Sequence, residues 1–197
     1  MKFEKPSGYD TADILPEQGS YARLPKGGYV AKILTVEEHE SKAGNPYLVF
    51  NLDIAEGDYM GFYAEEYKKQ TGEKRWHFQH RLMIPNDRTK PYTLHLFKTF
   101  NFYLEESNPG WKFSFDLDEK QYRGKLLGVL VNERQYAKRN GKLGMATNIA
   151  KIVKAQTVRS GAYTVPDDEL LKGGKAAAAA DDYVMPDSVD DDDLPFN

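Results

Sequence analysis

The chain contains no cysteine, which excludes disulfide bridges, thiolate zinc sites and cysteine nucleophiles. It also has no apolar run approaching the ~20 residues needed to cross a bilayer. Its first residues, MKFEKPSGYD, lack the apolar stretch of a signal peptide. Motifs for phosphate binding, dinucleotide binding or a nucleophile elbow are missing as well. We therefore expect a cytoplasmic protein without a membrane segment.

Metal sites are not predicted either. The four histidines show no metal-ligand spacing, and His77 and His80 point to opposite faces if their segment is a strand. The aspartates at 190–193 can attract a divalent cation, but four adjacent carboxylates on a flexible tail cannot preorganise one. The sequence thus predicts no cofactor and no catalytic residue, and the protein is expected not to be an enzyme.

Charge is distributed unevenly, and the composition changes at Pro166. Residues 167–197 hold ten acidic residues and two lysines, a net charge of -8, whereas the first 166 residues carry a net charge of +5. The acidic part also contains a diglycine and five consecutive alanines, which is linker composition. We expect an N-terminal extension over 1–21, a folded domain over 22–166 and a flexible acidic tail over 167–197.

The folded part alternates in the manner of β-strands. The segment GYVAKILTVEE is followed by the turn-like SKAGNP and by YLVFNLDIA, whose apolar residues repeat with a period of two. A loop-like stretch over 57–74 leads to a third strand pattern, RWHFQHRLMI. Two further strand patterns, KLLGVLVNERQYA and MATNIAKIVKAQTV, are joined through the hairpin signal Asn140-Gly141.

One helix is predicted between the third and fourth strands. From Pro91 to Glu106 the apolar residues follow i, i+3, i+4 spacing, and Asn108-Pro109-Gly110 ends the pattern. The resulting order is the layout of the OB-fold, a five-stranded Greek-key barrel. We therefore predict a mainly β, OB-like barrel, although a small sandwich with an inserted helix fits the same elements.

The predicted OB-like fold indicates where nucleic acid would bind. The groove of that fold crosses strands two and three and is flanked by two loops, which here are residues 41–46 and 136–143. Both loops carry positive charge and no acidic residue. Single strands bind cationic grooves in which bases stack on aromatic rings, for about 1–3 kcal/mol each. The predicted contacts are Lys42, Tyr47, Trp76, Arg81, Tyr136, Lys138, Arg139 and Lys142, and the basic residues at 68–75 add further charge.

Structural interpretations of the same residues stay open. The strand face with Trp76, Phe78 and His80 can belong to the core, since sequence does not fix the register. The lysine-rich turn at 138–142 can be a solvated hairpin tip.

The last eight residues, DDDDLPFN, place two apolar side chains beside four aspartates. This tip resembles the acidic C-terminal peptide of bacterial single-stranded-DNA-binding proteins, in which aspartates precede an apolar residue, a proline and a phenylalanine. The resemblance implies docking of replication, recombination and repair enzymes, with the phenylalanine in an apolar pocket. In that family the phenylalanine ends the chain, whereas here Asn197 follows it. The implied partner-binding residues are Asp190, Asp191, Asp192, Asp193, Leu194, Pro195 and Phe196.

The body resembles a second family. The stretches LPKGGYVAKILTVEEHESKAGNPYLVFNLDIAEG and GKLLGVLVNERQYAKRNGK look like phage-encoded proteins found with replication and recombination genes. This resemblance implies an OB-type protein that coats phage DNA intermediates in a bacterial host cell. The sequence does not fix the oligomeric state, and a homo-oligomer stays open. The predicted function is sequence-tolerant binding of single-stranded DNA.

Two other functions stay open at this point. One is an OB-like or sandwich interaction module, for example in phage assembly, that does not bind nucleic acid. The other is a metal-dependent nuclease whose dispersed acidic residues meet only in the fold. RNA binding is not separated from DNA binding, because stacking and phosphate contacts serve both.

Overall fold

The computed structural model describes residues 23–87, 89–138 and 141–171. Over these ranges the strands are β1 (Gly27–Glu40), β2 (Pro46–Ile54), β3 (Gln79–Met83), β4 (Leu126–Ala137) and β5 (Leu143–Val153). The helices are α1 (Phe62–Lys69), α2 (Pro91–Ser107) and α3 (Ala155–Arg159), with a 3₁₀ turn at Glu119–Tyr122. The protein is therefore mainly β, and the predicted helix between the third and fourth strands is confirmed.

The five strands form one antiparallel sheet in the order β3-β2-β1-β4-β5. The first part of β1, Gly27–Lys32, pairs with β4, and Ala31–Glu40 pairs with β2. A bulge between Ile33 and Thr35 bends the strand just after this change of partner. Within the described residues no pairing joins β3 to β5, so the sheet is open. The OB-like barrel stays a prediction.

The core lies on the inner side of this sheet. The alternation predicted for β2 is confirmed, because Leu48, Phe50, Leu52 and Ile54 are all buried. Such side chains contribute roughly 1.5–3 kcal/mol each when fully buried. The third strand is shorter than predicted, and its orientation is now fixed. Leu82 and the preceding Phe78 are buried in the core, and Arg81 lies on the opposite side of the strand.

Helix α2 packs along the core and is tied to β4 at its end. Its buried side chains are Phe97, Phe100, Asn101, Leu104 and Ser107. Pro91 starts the helix because its fixed φ suits a first turn and it needs no hydrogen-bond acceptor there. At the other end the amide of Asn108 donates from Nδ2 to the Leu126 carbonyl (2.8 Å) and accepts from the Leu126 N–H (2.9 Å). None of the helices in the described ranges is long and apolar enough to span a membrane.

The loop expected over 57–74 is wrong, because Phe62–Lys69 form helix α1. The buried carboxylate of Asp53, in β2, accepts hydrogen bonds from the backbone N–H groups of Tyr63 (3.0 Å) and Ala64 (3.1 Å). These are donors that a helix start leaves without a partner inside the helix. The stabilising group therefore comes from a neighbouring strand, and no local sequence pattern announces it.

Residues 154–171, here called the C-terminal strap, cross the outer side of β1 and β4. The fifth strand was expected to run to Val158, but it ends at Val153 and the strap begins with α3. The Lys154 carbonyl passes so close to Gly128 that a Cβ there would lie 2.6 Å from it. The strap explains why β4 is buried on both sides, with Leu130 covered as well as the core-facing residues.

The strap continues past the expected start of the tail at residue 167. β4 extends beyond the start of β1, and Glu169 pairs with the exposed edge that this leaves. The Glu169 N–H donates to the Glu133 carbonyl (3.0 Å), and the Gln135 N–H donates to the Glu169 carbonyl (2.8 Å). Asp168 also forms an ion pair with Lys26. The ordered body thus includes residues 167–171, while the predicted N-terminal extension at 1–21 and the tail at 172–197 lie outside the described residues.

Candidate nucleic-acid interface

The side of β1, β2 and β3 that points away from the core is here called the outer face. The strand register aligns it in three rows, which are Thr35–Asn51–Gln79, Glu37–Val49–Arg81 and His39–Tyr47–Met83. The β1 residues of these rows and Met83 are exposed to solvent, and the strap lies farther along, on β1 and β4. Val49 at the centre is buried, and the other four residues are partly buried. The outer face thus presents polar, cationic and aromatic side chains that a ligand reaches in part.

Tyr47 provides the aromatic surface of the outer face. Its ring stacks on His39 with a centroid separation of 5.6 Å and an interplanar angle of 20°. The guanidinium of Arg81 lies 5.6 Å from the centroid of the same ring. The structure therefore brings together two of the predicted contact residues, a ring on which a base can stack and a cation that can pair with a phosphate.

A chain of side-chain hydrogen bonds crosses the outer face one row away from Arg81. Nε2 of Gln79 donates to Oδ1 of Asn51, and Nδ2 of Asn51 donates to Oγ1 of Thr35, each over 2.7 Å. These bonds fix the two carboxamide groups across three strands. The sequence alone does not point to these residues, because their contact requires the register of β1, β2 and β3.

Positive charge lies at both ends of the outer face. The β1–β2 turn carries Lys42 next to the row of Tyr47, and the connection from α1 to β3 leads into Gln79 at the other end. Gln70 fixes that connection through two hydrogen bonds with the Arg75 backbone, 2.8 and 2.9 Å long. The basic cluster there consists of Lys68, Lys69, Lys74 and Arg75.

Acidic residues limit the positive potential of the same region. Glu37 belongs to the outer face and is exposed, and Glu38 and Glu40 are exposed on the opposite side of the same strand. In the basic cluster Lys68 pairs with Glu65 at 2.7 Å, and both side chains are exposed. Exposed pairs of this kind contribute only about 0–1 kcal/mol, so they leave a cation available to a phosphate at little cost. Binding at this face therefore depends on individual side chains rather than on a uniformly cationic groove.

The β4–β5 hairpin, the second predicted loop, lies at the other end of β1 from the Lys42 turn, because β4 runs antiparallel to β1 and past its start. The Lys138 N–H donates to the Lys142 carbonyl over 2.8 Å, and both side chains are exposed. Arg139 lies outside the described residues.

Tyr136, at the base of this hairpin, lies across the neighbouring strand. A Cβ on Gly144 would approach the Tyr136 ring to 2.7 Å, so glycine is what allows the ring to come this close to the strand. Tyr136 is partly exposed, on the hairpin side of the sheet.

Trp76 packs inward instead of lying on the outer face. Its Nε1 donates to the Leu52 carbonyl over 2.8 Å, its ring lies 5.5 Å from that of Tyr67, and it packs against the core. An indole held in this way supports the connection between α1 and β3. The geometry therefore favours the structural interpretation of Trp76 over a base-stacking role.

Two further predictions concern metal sites and the partner-binding residues of the tail. No group of three or more histidine, aspartate or glutamate side chains that could hold a metal ion occurs in residues 23–87, 89–138 or 141–171. The predicted partner-binding residues at 190–196 lie outside these ranges.

Comparison with known proteins identifies a family for part of the chain only. No curated protein matches the sequence. Over residues 8–77, a stretch that includes β1, β2 and α1, the chain matches the phage-associated family DUF669, described as a protein of unknown function.

Proposed function

We propose that this protein binds single-stranded DNA with little sequence preference and acts, without catalysis, in phage DNA replication or recombination. The observation that carries the proposal is the contact between Tyr47 and Arg81 on the outer face. A base that stacks on an aromatic ring gains about 1–3 kcal/mol, and every base has a face that can do so. A neighbouring guanidinium adds a phosphate contact that is equally independent of sequence.

An OB-like architecture is part of this proposal, and the strand order supports it. The OB-fold is a partly open, five-stranded Greek-key barrel that binds its ligands on the face of strands two and three. An antiparallel sheet in the order β3-β2-β1-β4-β5, with a helix between β3 and β4, is compatible with that architecture. The Tyr47 site lies on the corresponding face, on β2 and β3.

The acidic tail supplies the second part of the proposal, which is recruitment of partner enzymes. Because residues 167–169 belong to the strap, the remaining tail at 172–197 carries seven acidic residues and two lysines, a net charge of -5. The resemblance of its tip to the docking peptide of bacterial single-strand binders supports a role for Leu194, Pro195 and Phe196 as the anchor. The aspartates would steer the tip toward basic pockets on replication or recombination proteins.

The test is a fluorescence-anisotropy titration of labelled oligothymidine with the full chain, repeated with a duplex and at several salt concentrations. We expect single-strand binding tighter than duplex binding. We also expect the logarithm of the association constant to fall with the logarithm of salt concentration by roughly 0.7 per phosphate contact. Absence of binding at low salt, both with the full chain and after deletion of residues 172–197, would overturn the proposal.

An interaction module that does not bind nucleic acid is the second candidate, and a specific surface favours it. Phe115, Leu117 and Leu94 are 78%, 59% and 54% exposed, and Phe115 stacks on the buried Phe97 at 6.1 Å. Exposed large apolar side chains next to the core are typical of protein contacts. This candidate gains support if the titration shows no binding and Phe115→Ser abolishes capture of a host or phage protein that wild type retains.

A further inference from the structure

The hydrogen-bonded row Thr35–Asn51–Gln79 of the outer face, here called the amide row, has its donors and acceptors in one direction. Gln79 donates to Asn51 and Asn51 donates to Thr35, so each bond uses a donor of the residue nearer to the edge strand β3. The row therefore ends at Gln79, on the strand where a ligand can approach from the sheet edge. Three aligned residues on three strands fix the position of this side chain more firmly than one bond does.

The chemistry left at Gln79 follows from its bonding. A carboxamide has two N–H donors and a carbonyl acceptor, and here one donor is used by Asn51. Within the described residues, the second Nε2 hydrogen and Oε1 of Gln79 have no protein partner. Gln79 is only partly buried, so an adjacent donor and acceptor are presented toward the outer face.

An adjacent donor and acceptor in one plane is the pattern that reads a nucleobase edge. Glutamine pairs with adenine through two hydrogen bonds, donating to a ring nitrogen and accepting from the 6-amino group. Gln79 lies opposite Asn51, four residues along β2 from Tyr47, which corresponds to about 13 Å of strand. A base stacked on Tyr47 is therefore not the base that reaches Gln79.

We infer that Gln79, held by Asn51 and Thr35, is a base-contacting residue that gives this protein a preference for strands containing adenine. The inference rests on the proposed function, because it adds an edge contact to a site whose main contacts do not depend on sequence. Tyr47 and Arg81 set the affinity, and Gln79 adjusts it according to the base beside it.

The experiment compares two labelled strands that differ only in the group recognised. Each is oligothymidine with the same central positions replaced, in one strand by adenine and in the other by purine, which lacks the 6-amino group. Wild-type full-length protein is expected to bind the adenine strand about fivefold more tightly, the lower end of the range for a paired edge contact. Gln79→Leu should bring the ratio of the two association constants, adenine strand over purine strand, to about one, since it removes the donor and the acceptor.

Matched variants separate this role from a structural one. Gln156→Leu changes an exposed glutamine on α3, away from the outer face, and should leave the ratio unchanged. Gln79→Met keeps an unbranched side chain at the site, so loss of the ratio in this variant too confirms that the carboxamide is responsible. Thr35→Val removes the far end of the row and should reduce the ratio while leaving oligothymidine affinity unchanged.

The outcomes distinguish the two proposals. Tight oligothymidine binding with equal affinity for the adenine and purine strands overturns the base contact and leaves the proposed function intact. A preference that persists in Gln79→Leu also overturns it. Absence of binding to every strand overturns the proposed function and the base contact together.

Discussion

The ring of Tyr163 lies over Gly28, so close that a Cβ on residue 28 would come within 2.5 Å of it. Gly28 pairs with Leu130 across β1 and β4, and Tyr163 belongs to the strap that covers both strands. The strap therefore packs directly on the sheet backbone at this point. Since it occupies the outer side of β4 and of the first part of β1, the strap leaves the outer face on the rest of β1 and on β2 and β3 uncovered.

Alanine at Gly28 and at Gly128 tests this packing. In Gly28→Ala the new methyl group meets the end of the Tyr163 side chain, which can rotate away, and we expect a loss of about 1 kcal/mol. In Gly128→Ala the new methyl group meets the Lys154 carbonyl at 2.6 Å. Because this backbone group cannot rotate away, we expect the free energy of unfolding to fall by about 3 kcal/mol. Urea unfolding of both variants measures the difference, and equal losses would contradict the rigid contact at Gly128.

Truncation at two positions tests where the folded body ends. A chain that ends at residue 171 should unfold at the same urea concentration as the full chain. A chain that ends at residue 166 loses the Asp167 carbonyl that accepts from Nδ2 of the buried Asn132 at 2.5 Å, and it loses the pairing of Glu169 with β4. We expect a loss of about 1–3 kcal/mol, the penalty for an unsatisfied buried polar group. Equal stability of the two truncations would show that residues 167–171 do not belong to the body.

Prediction from sequence succeeded where the signal is local. The period of two in β2 and the helical period after Pro91 each lie within one element, and both elements form as predicted. Helix α1 was missed because Asp53, which accepts from its first N–H groups, lies in β2. The acidic residues at 167–169 were assigned to a tail because their partners, such as Lys26, are distant in sequence.

In the candidate site, too, residue types could be predicted from the sequence, whereas contacts between strands could not. Tyr47 and Arg81 were predicted from residue type, whereas their mutual contact follows from the pairing of β2 with β3. Asn51 and Gln79 were not selected, because polar residues on a strand carry no signal until the register aligns them. Of the family resemblances, the one to phage-encoded proteins is confirmed at the level of a phage-associated family over residues 8–77. Single-strand binding and the role of the tail tip stay predictions.

His80 should make the stability of the protein depend on pH. Its ring stacks on Phe100 at 5.5 Å, and burial lowers its pKa from 6.5 to about 4. The unfolded chain therefore binds a proton more readily than the folded chain between these values. As far as His80 is concerned, the free energy of unfolding is highest above pH 6.5, where both states hold a neutral imidazole. It decreases as the pH falls toward 4, by at most about 3 kcal/mol in total.

The comparison with His80→Phe isolates this contribution, because phenylalanine fills similar space beside Phe50 and Phe100 without titrating. Urea unfolding at pH 7 and pH 4.5 gives the change in the free energy of unfolding for each protein. Protonation of carboxylates over this interval affects wild type and variant alike. Wild type should lose more stability than the variant over this interval. An equal loss in both proteins would mean that His80 takes up no proton on unfolding.

Substitution of Tyr47 tests the outer face as the place where single strands bind. Tyr47→Leu keeps an apolar side chain beside Arg81 but removes the ring, and the loss of one stacked base should weaken oligothymidine binding by at least about fivefold. The slope of affinity against salt should stay unchanged, because no phosphate contact is removed. Tyr92→Leu, at an exposed tyrosine on α2, is the matched control and should bind like wild type. If the control weakens binding as much as Tyr47→Leu, or if Tyr47→Leu binds normally, the strand binds elsewhere. In that case the β4–β5 hairpin, with Tyr136, Lys138 and Lys142, becomes the site to mutate next.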